Sequence, residues 1–96
     1  MTIAETLRKK LETAFDPAAL EVVDESHLHA GHVGARPEGE THFRVAIVAS
    51  AFSGISRVQR HRLVHEVLAE ELRDRVHALA LTLRAPEDVT GSTQNR

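Results

Sequence analysis

The sequence predicts an α+β domain of two layers, with the element order α-β-β-α-β. Two stretches repeat apolar residues at helical spacing, and three shorter stretches have the alternation or the β-branched content of strands. The chain of 96 residues is long enough for one small domain. Because helices at this density pack over a short sheet as a second layer, we expect a three-stranded mixed sheet with the helices on one face.

The first helix is predicted to begin after Thr2 and to end before Pro17. Thr2 and Glu5 have the spacing of a capping box, in which each side chain satisfies a backbone N–H of the other residue. Apolar residues then form one stripe for the core, which consists of Ile3, Leu7, Leu11, Ala14 and Phe15. The helix stops at Asp16, because the residue before a proline avoids the helical region.

Three strands are predicted, and a long loop separates the first two. The first strand covers residues 20–26, the second residues 42–50 and the last about residues 76–83. The loop of residues 27–40 holds three glycines and one proline, and a compact domain rarely carries such a loop without a use for it. Alternation gives the second and last strands one face each for the core, formed by Phe43, Val45, Ile47 and Ala49 and by His77, Leu79, Leu81 and Leu83.

The second predicted helix runs from about residue 57 to residue 72, after a turn at residues 52–54. Ser56 and Gln59 form a second capping box at its start. Its apolar arc consists of Val58, Val64, Val67, Leu68 and Leu72, with Leu63 at the margin. A final turn is expected at residues 85–88.

Composition excludes several functions. A formal charge of −2 excludes a strongly basic nucleic-acid binder, and three phenylalanines without Trp or Tyr are a poor platform for stacking bases. Cysteine is absent, so we expect no disulfide, thiol nucleophile or Cys-x-x-Cys metal site. No nucleophile with a base, phosphate loop or suitable carboxylate pair is apparent, so we expect no enzyme. Without a membrane span or a signal-like segment, we expect a cytoplasmic protein that does not bind membranes.

Seven histidines are the unusual feature of the composition. His27, His29 and His32 fall in the long loop, where Gly31 lets the backbone bend between the last two. Imidazole is the commonest metal ligand, but a closed zinc site needs four ligands, often with thiolates. From the loop alone, a solvated polar segment and a metal site both stay open.

The other histidines lie in predicted regular elements. His77 begins the last strand in phase with its leucines, so it is either a histidine at the edge of the core or an open metal ligand. In the second case a partner has to supply the other half of the site. His61 and His65 have a spacing on the second helix that can hold a metal, but both lie near the apolar arc, which favours packing against the sheet.

Arg57, Arg60 and Arg62 occupy the first turns of the second helix, and its glutamates come later. This order opposes the helix dipole, at about 0.3–1 kcal/mol for each charge near an end. It concentrates positive charge at one edge, to which Arg44 and His61 add. The cluster is either a solvated face with surface ion pairs or a site for an anion, DNA or an acidic partner. In the second case we expect the arginines to matter for binding more than for folding.

Several segments together resemble the BolA family. The most specific is the Arg60-His61-Arg62 signature, with Leu68-Ala-Glu-Glu-Leu72 and His77-Ala-Leu79 after it. The matching segments are residues 20–26, 39–45, 51–65, 68–72 and 76–81. Because the resemblance covers roughly residues 1–88, it implies a BolA-like domain over residues 1–90 and a disordered C-terminal tail over residues 91–96.

The resemblance implies a fold similar to the class II KH domain. KH domains grip nucleic acid with a Gly-x-x-Gly loop. This chain has no such motif, and residues 52–54 stand at the equivalent turn. RNA binding in the general KH manner is therefore not expected.

The resemblance also implies a partner and a cofactor, because BolA-like proteins pair with monothiol glutaredoxins around a [2Fe-2S] cluster shared with glutathione. It implies a role in iron–sulfur cluster trafficking or iron sensing, with His77 as the strand ligand, His29 as the loop ligand and His32 as an extra candidate. The absence of cysteine implies the subgroup with a histidine in the loop, and no cluster is expected in the chain alone. The alternative is a DNA-binding transcriptional regulator of stress response and cell morphology, with contacts from Arg44, Arg57, Arg60, His61 and Arg62.

Overall fold

A computed structural model describes residues 2–25, 42–76 and 78–89. The predicted order of helices and strands is confirmed, with the second predicted helix divided in two. The elements are α1 (Ile3–Phe15), β1 (Ala19–Asp24), β2 (His42–Val48), α2 (Arg57–Val67), α3 (Ala69–Asp74) and β3 (Ala78–Arg84). A 3₁₀ turn, Ser50–Phe52, follows β2, and one helical turn at residues 86–89 follows β3.

The ends of α1 are confirmed. The Thr2 hydroxyl accepts a hydrogen bond from the N–H of Glu5, and the Glu5 carboxylate accepts one from the N–H of Thr2. This bond from the Thr2 backbone is the main reason why the pKa of Glu5 lies below its ordinary value. Asp16 ends the helix in the left-handed region, with a φ of 45°. Ala14 is exposed, and the side chains that α1 buries are Leu7, Leu11 and Phe15.

The strands form one mixed sheet in the order β1-β2-β3. β1 is antiparallel to β2, and β2 is parallel to β3. Val22 pairs with Val45, which pairs with Leu81, so these three side chains share the face toward the helices. A parallel pair of strands needs a long connection, usually a helix, and α2 and α3 provide it here. α2 therefore begins near the end of the sheet where β2 and β3 finish.

The hydrophobic core lies between one face of this sheet and the helices. Its buried apolar residues are Leu7, Leu11, Phe15, Phe43, Val45, Ile47, Ala49, Phe52, Val64, Leu68, Val76, Leu83 and Ala85. The rings of Phe15 and Phe52 pack with their centroids 5.0 Å apart, which ties α1 to the turn after β2. All four residues predicted to face the core from the second strand are buried. Each large side chain buried in this way contributes about 1.5–3 kcal/mol.

The single helix predicted over residues 57–72 is wrong, because Leu68 interrupts it. Leu68 has φ −103° and ψ 17°, outside the helical region, and the helix divides there into α2 and α3. Leu68 stays fully buried, and Glu71 of α3 lies 2.8 Å from the ammonium group of Lys10 in α1. The hydrogen bond with Glu71 is the main reason why the pKa of Lys10 is raised. Apolar spacing is helical on both sides of Leu68, so the sequence pattern does not reveal the break.

The prediction that Val58 belongs to the apolar arc of the second helix is wrong, because its side chain is 59% exposed. Six residues of helix turn through about 600°, which places Val58 about 120° away from the buried Val64. The strand boundaries also shift by one or two residues. β3 begins at Ala78, because the N–H of Val76 still donates to the carbonyl of Glu71 at the end of α3, at 2.7 Å.

Candidate functional site

One end of the sheet brings together the chain positions that flank the predicted metal ligands. Asp24 at the end of β1 pairs with Phe43, and His42 at the start of β2 pairs with Ala78 at the start of β3. The N–H of Glu25 donates to the carbonyl of His42 at 2.8 Å. We call this the histidine end, defined by Asp24, Glu25, His42 and Ala78.

The ligands implied by the resemblance, His29, His32 and His77, lie outside the described residues, as does the loop of residues 27–40. Their assignment therefore stays a prediction. Within residues 2–25, 42–76 and 78–89, no group of three or more His, Asp or Glu side chains is placed to hold a metal ion.

Glu25 at the histidine end forms an ion pair with Arg44 of β2. The Arg44 guanidinium lies 2.8 Å from the Glu25 carboxylate, and the two side chains are 60% and 19% exposed. Arg44 pairs with Ala80 of β3 in the register of the sheet. Ala80 lies four residues before Arg84, which is roughly 13 Å along the strand. The structure therefore does not bring Arg44 to the arginines of α2, and the sequence interpretation is corrected on this point.

His42 also lies at this end, although it was not among the predicted site residues. It is the first residue of β2 and is only 7% exposed. Its place directly after the long loop is the sequence signal that could have identified it.

The opposite end of the sheet, where β3 finishes, lies against the first turns of α2. We call it the arginine end, defined by Arg57, Arg60, His61, Arg84 and Asp88. These five residues line a cavity of about 710 Å³, together with the chain of β3 from Leu81 to Leu83.

Arg60 holds the arginine end together. Its guanidinium donates to the carbonyl of Ile55 at 3.2 Å, to the carbonyl of Leu83 at 3.1 Å and to the carboxylate of Asp88 at 2.7 Å. Its side chain is 14% exposed. These bonds connect the segment before α2, the end of β3 and the turn after β3. Arg60 thus has a structural role that the sequence interpretation did not assign to it.

Asp88 is the acidic partner in this arrangement. Its carboxylate accepts a hydrogen bond from the N–H of Ala85 at 2.9 Å as well as the bond from Arg60. The bond from the Ala85 backbone, followed by that from Arg60, lowers the pKa of Asp88 below its ordinary value, and the charge of Arg84 acts in the same direction.

The direction in which the side chain leaves the helix separates Arg62 from the other two arginines of α2. Arg57 and Arg60 lie seven and four residues before the buried Val64, which places both within about 40° of its direction. Arg62 lies two residues before Val64 and points about 200° away from it, toward the opposite side of the helix. Arg62 is accordingly exposed and does not line the cavity.

His61 has a defined tautomer at the cavity. Its Nδ1 lies 2.9 Å from the carbonyl of Arg57. Because a carbonyl only accepts hydrogen bonds, Nδ1 carries a hydrogen and Nε2 is the nitrogen left for other partners. Within the described residues, His61 and His65 belong to no group of three or more His, Asp or Glu side chains that could hold a metal ion, and His65 is exposed rather than packed against the sheet.

Arg84 and Asp88 are the functional candidates that the sequence interpretation missed. The signal lies in topology, because a helix that follows one strand of a parallel pair begins near the carboxyl ends of both strands. The end of β3 and the residues after it therefore belong to the same site as the start of α2.

The mixed sheet, with its helices on one face, defines a small α+β domain of the KH-like type. A family model described as BolA-like protein matches residues 11–88, and the chain belongs to this family. The resemblance found in the sequence is confirmed, while the subgroup with a histidine in the loop stays a prediction. None of the helices in the described part of the chain is long and apolar enough to cross a membrane.

Similar proteins come from bacteria, animals and plants. The chain is 50% identical over 91 residues to an uncharacterized protein of Sinorhizobium sp, covering 94% of this chain and 98% of that one. It is 55% identical over 80 residues to human BolA-like protein 1, covering 83% of this chain and 56% of that protein, so it spans just over half of the human protein. It is 40% identical over 88 residues to the DNA-binding transcriptional regulator BolA of Haemophilus influenzae, with 92% and 82% covered. The solved structure of BolA1 from Arabidopsis thaliana has a TM-score of 0.82 at 40% identity, covering 92% of this chain and 96% of that one.

Proposed function

We propose that this protein is an adaptor that pairs with a monothiol glutaredoxin to hold a bridging [2Fe-2S] cluster, in cluster trafficking or iron sensing. The observation that carries the proposal is the register at the histidine end. β1 ends at Asp24 on one side of β2, and β3 begins at Ala78 on its other side. Since neighbouring strands lie about 4.8 Å apart, these two positions are about 10 Å from each other. The strand ends that flank the proposed loop and strand ligands in the sequence therefore lie at the same end of the sheet.

The donor chemistry of the sequence fits a shared cluster. In some [2Fe-2S] centres imidazole nitrogens ligate one iron and cysteine thiolates ligate the other. This chain has seven histidines and no cysteine, so the thiolates have to come from the glutaredoxin and from glutathione. From this chain, His77 and His29 would hold the cluster, with His32 as the alternative loop ligand.

Imidazole ligation also suggests what the cluster would supply. It raises the reduction potential of a [2Fe-2S] centre relative to ligation by thiolates alone. The described residues of the histidine end contribute a fixed frame for the ligands, because the ladder of β1, β2 and β3 and the bond from Glu25 to His42 hold the strand ends in register.

Reconstitution tests the proposal. The chain is mixed with a monothiol glutaredoxin, iron, sulfide and glutathione, and visible absorption and circular dichroism are recorded on the fraction from size-exclusion chromatography. We expect the two proteins to elute together, with a spectrum that differs from that of the cluster formed by the glutaredoxin alone. Separate elution with an unchanged glutaredoxin spectrum would contradict the proposal. So would a stoichiometric, brown, monomeric holo-protein purified without a partner or added thiol.

DNA binding is a second candidate function, favoured by the exposed arginines at the start of α2. The Haemophilus influenzae relative is named a DNA-binding transcriptional regulator, and Arg57 and Arg62 are both exposed here. Contacts from such side chains to phosphates would be weakened by salt, and the net charge of −2 implies weak binding overall.

Titration of a labelled DNA duplex, followed by fluorescence anisotropy at several salt concentrations, tests this second function. Arg62→Glu is expected to weaken binding more than Arg8→Glu, an equal charge change on an exposed position of α1. Equal losses from the two variants would indicate nonspecific attraction and remove this candidate.

A further inference from the structure

The cavity at the arginine end holds more positive charge than its own acid neutralises. Arg60 and Asp88 pair with each other at 2.7 Å. Arg57 from α2 and Arg84 from β3 line the same cavity, and the guanidinium group of neither makes a hydrogen bond or ion pair with another described residue. Among the residues that the structure describes, two guanidinium charges on different elements are thus left at one cavity without a paired carboxylate.

A further donor lines the same space. The Thr82 residue of β3 also lines the cavity and carries a hydroxyl. The first turn of α2 has no acidic residue, so the positive end of its dipole is not offset there.

We propose that this cavity is a binding site for the phosphate group of a small phosphomonoester, held by Arg57 and Arg84 with the hydroxyl of Thr82 as a third donor. Planar guanidinium groups match phosphate oxygens in pairs of hydrogen bonds. The two unpaired charges balance a dianion, which a phosphomonoester is near neutral pH and a phosphodiester is not. The volume of about 710 Å³ is within the usual range for small-molecule sites, roughly 300–1,000 Å³.

The Arg60–Asp88 ion pair holds the elements that line the cavity in place. The guanidinium of Arg60 donates its hydrogen bonds to Ile55, Leu83 and Asp88. Arg60 therefore holds β3 against α2 and sets the spacing between Arg57 and Arg84. Arg60 is accordingly a positioning residue, and Arg57 and Arg84 are the binding residues.

This proposal is independent of the glutaredoxin partnership. The cavity lies where β3 finishes, and the histidine end lies where β3 begins, six residues away along the strand. A ligand bound at one end can therefore be measured without a cluster at the other end.

The test follows amide and Arg Nε–H resonances of the full chain by NMR during titration with inorganic phosphate, methyl phosphate and dimethyl phosphate. We expect saturable shifts centred on Arg57, Thr82 and Arg84 with the first two ligands, and much weaker ones with the diester. Arg84→Gln should weaken the binding of methyl phosphate at least about tenfold, as expected for a lost hydrogen bond between charged groups. Arg62→Gln, on the other side of α2, is the matched control and should leave it unchanged.

Three results would overturn the proposal. One is equal binding of methyl phosphate and dimethyl phosphate. Another is an equal loss in Arg84→Gln and Arg62→Gln, which would reduce the effect to general attraction. The third is the absence of saturable shifts with any of the small anions while duplex DNA shifts the same resonances, which would assign the cavity to a nucleic acid.

Discussion

The two ends of the sheet differ in what positions their functional groups. At the histidine end, the proposed ligands belong to segments outside the described residues, and the strands contribute the register that brings the attachment points at Asp24 and Ala78 together. At the arginine end, the groups stand on α2, on β3 and in the turn after β3, and Arg60 of α2 binds the segment before α2, the end of β3 and that turn.

The two ends also differ in how far residue identity determines a role. At the histidine end, residue identity and nearness to a strand end suggest a role. At the arginine end, identity is not enough, because Arg57, Arg60 and Arg62 have the same chemistry and different surroundings. There the direction in which each side chain leaves the helix separates Arg57 and Arg60 at the cavity from Arg62, which points to solvent. The hydrogen bonds of Arg60 then distinguish it from Arg57.

The largest expected effect lies at the histidine end. His77→Ala should abolish or strongly alter the circular dichroism of the glutaredoxin complex, because it removes the proposed strand ligand. His29→Ala should shift the spectrum, with partial rescue by His32, since a loop with glycines can present a nearby imidazole. His65→Ala, an exposed histidine on α2, is the matched control and should change nothing.

The alternative for His77 is a purely structural role in packing. In that case His77→Ala would lower the free energy of unfolding by about 1–3 kcal/mol, as for a lost buried hydrogen-bonding group, and the cluster spectrum would stay intact. Recording the spectrum and the thermal unfolding of the same sample distinguishes the two roles.

The next effect concerns stability at the arginine end. Arg60→Met should lower the free energy of unfolding by about 1–3 kcal/mol, because the partly buried carbonyls of Ile55 and Leu83 lose their donor. Arg62→Met removes the same charge from an exposed position and should stay within about 0.5 kcal/mol of the wild type. Urea unfolding measures both, and similar values for the two variants would erase the distinction between them.

The order of elements, the capping boxes at the start of α1 and α2 and the core face of β2 were all predictable from the sequence, because capping residues and apolar periodicity act locally. The break at Leu68 was not, since the residues on both sides keep helical spacing. At the arginine end, the residues that α2 contributes were predictable from the sequence, and their hydrogen bonds to β3 and the turn after it were not. The spacing to Val64 could have separated Arg60 from Arg62, but the hydrogen bonds of Arg60 to Leu83 and Asp88 depend on how β3 packs against α2.

A smaller effect should appear in the acid stability of the arginine end. The pKa of Asp88 is lowered in the folded state. As the pH falls, the Asp88 carboxylate of the unfolded chain is therefore protonated first, near the ordinary aspartate pKa of about 3.9. The stabilisation is present above that pH and is lost as pH falls through the lower, folded pKa. The difference in melting temperature between the wild type and Asp88→Asn should therefore be constant from pH 7 to 5 and shrink below about pH 4. A difference that grows in acid would contradict the lowered pKa.

The smallest effect should come from the ion pair at the histidine end. Arg44 is 60% exposed and pairs with Glu25 at the surface, and such pairs contribute about 0.2–1 kcal/mol. Arg44→Met should therefore cost less than Arg60→Met, and added salt should remove most of its cost while leaving that of Arg60→Met in place. Chemical unfolding of both variants by urea, with and without 1 M NaCl, measures this; equal salt sensitivity would show that the two ends are held in the same way.

The most direct test of the central proposal asks whether imidazoles of this chain ligate the shared cluster. The chain is labelled with ¹⁵N-histidine, assembled with unlabelled glutaredoxin, glutathione, iron and sulfide, and the reduced complex is studied by pulsed electron paramagnetic resonance. We predict ¹⁵N couplings of directly bound imidazole nitrogens, and we predict that they are lost or altered in His77→Ala. A paramagnetic cluster in the complex without any coupling to labelled histidine would contradict the proposed function.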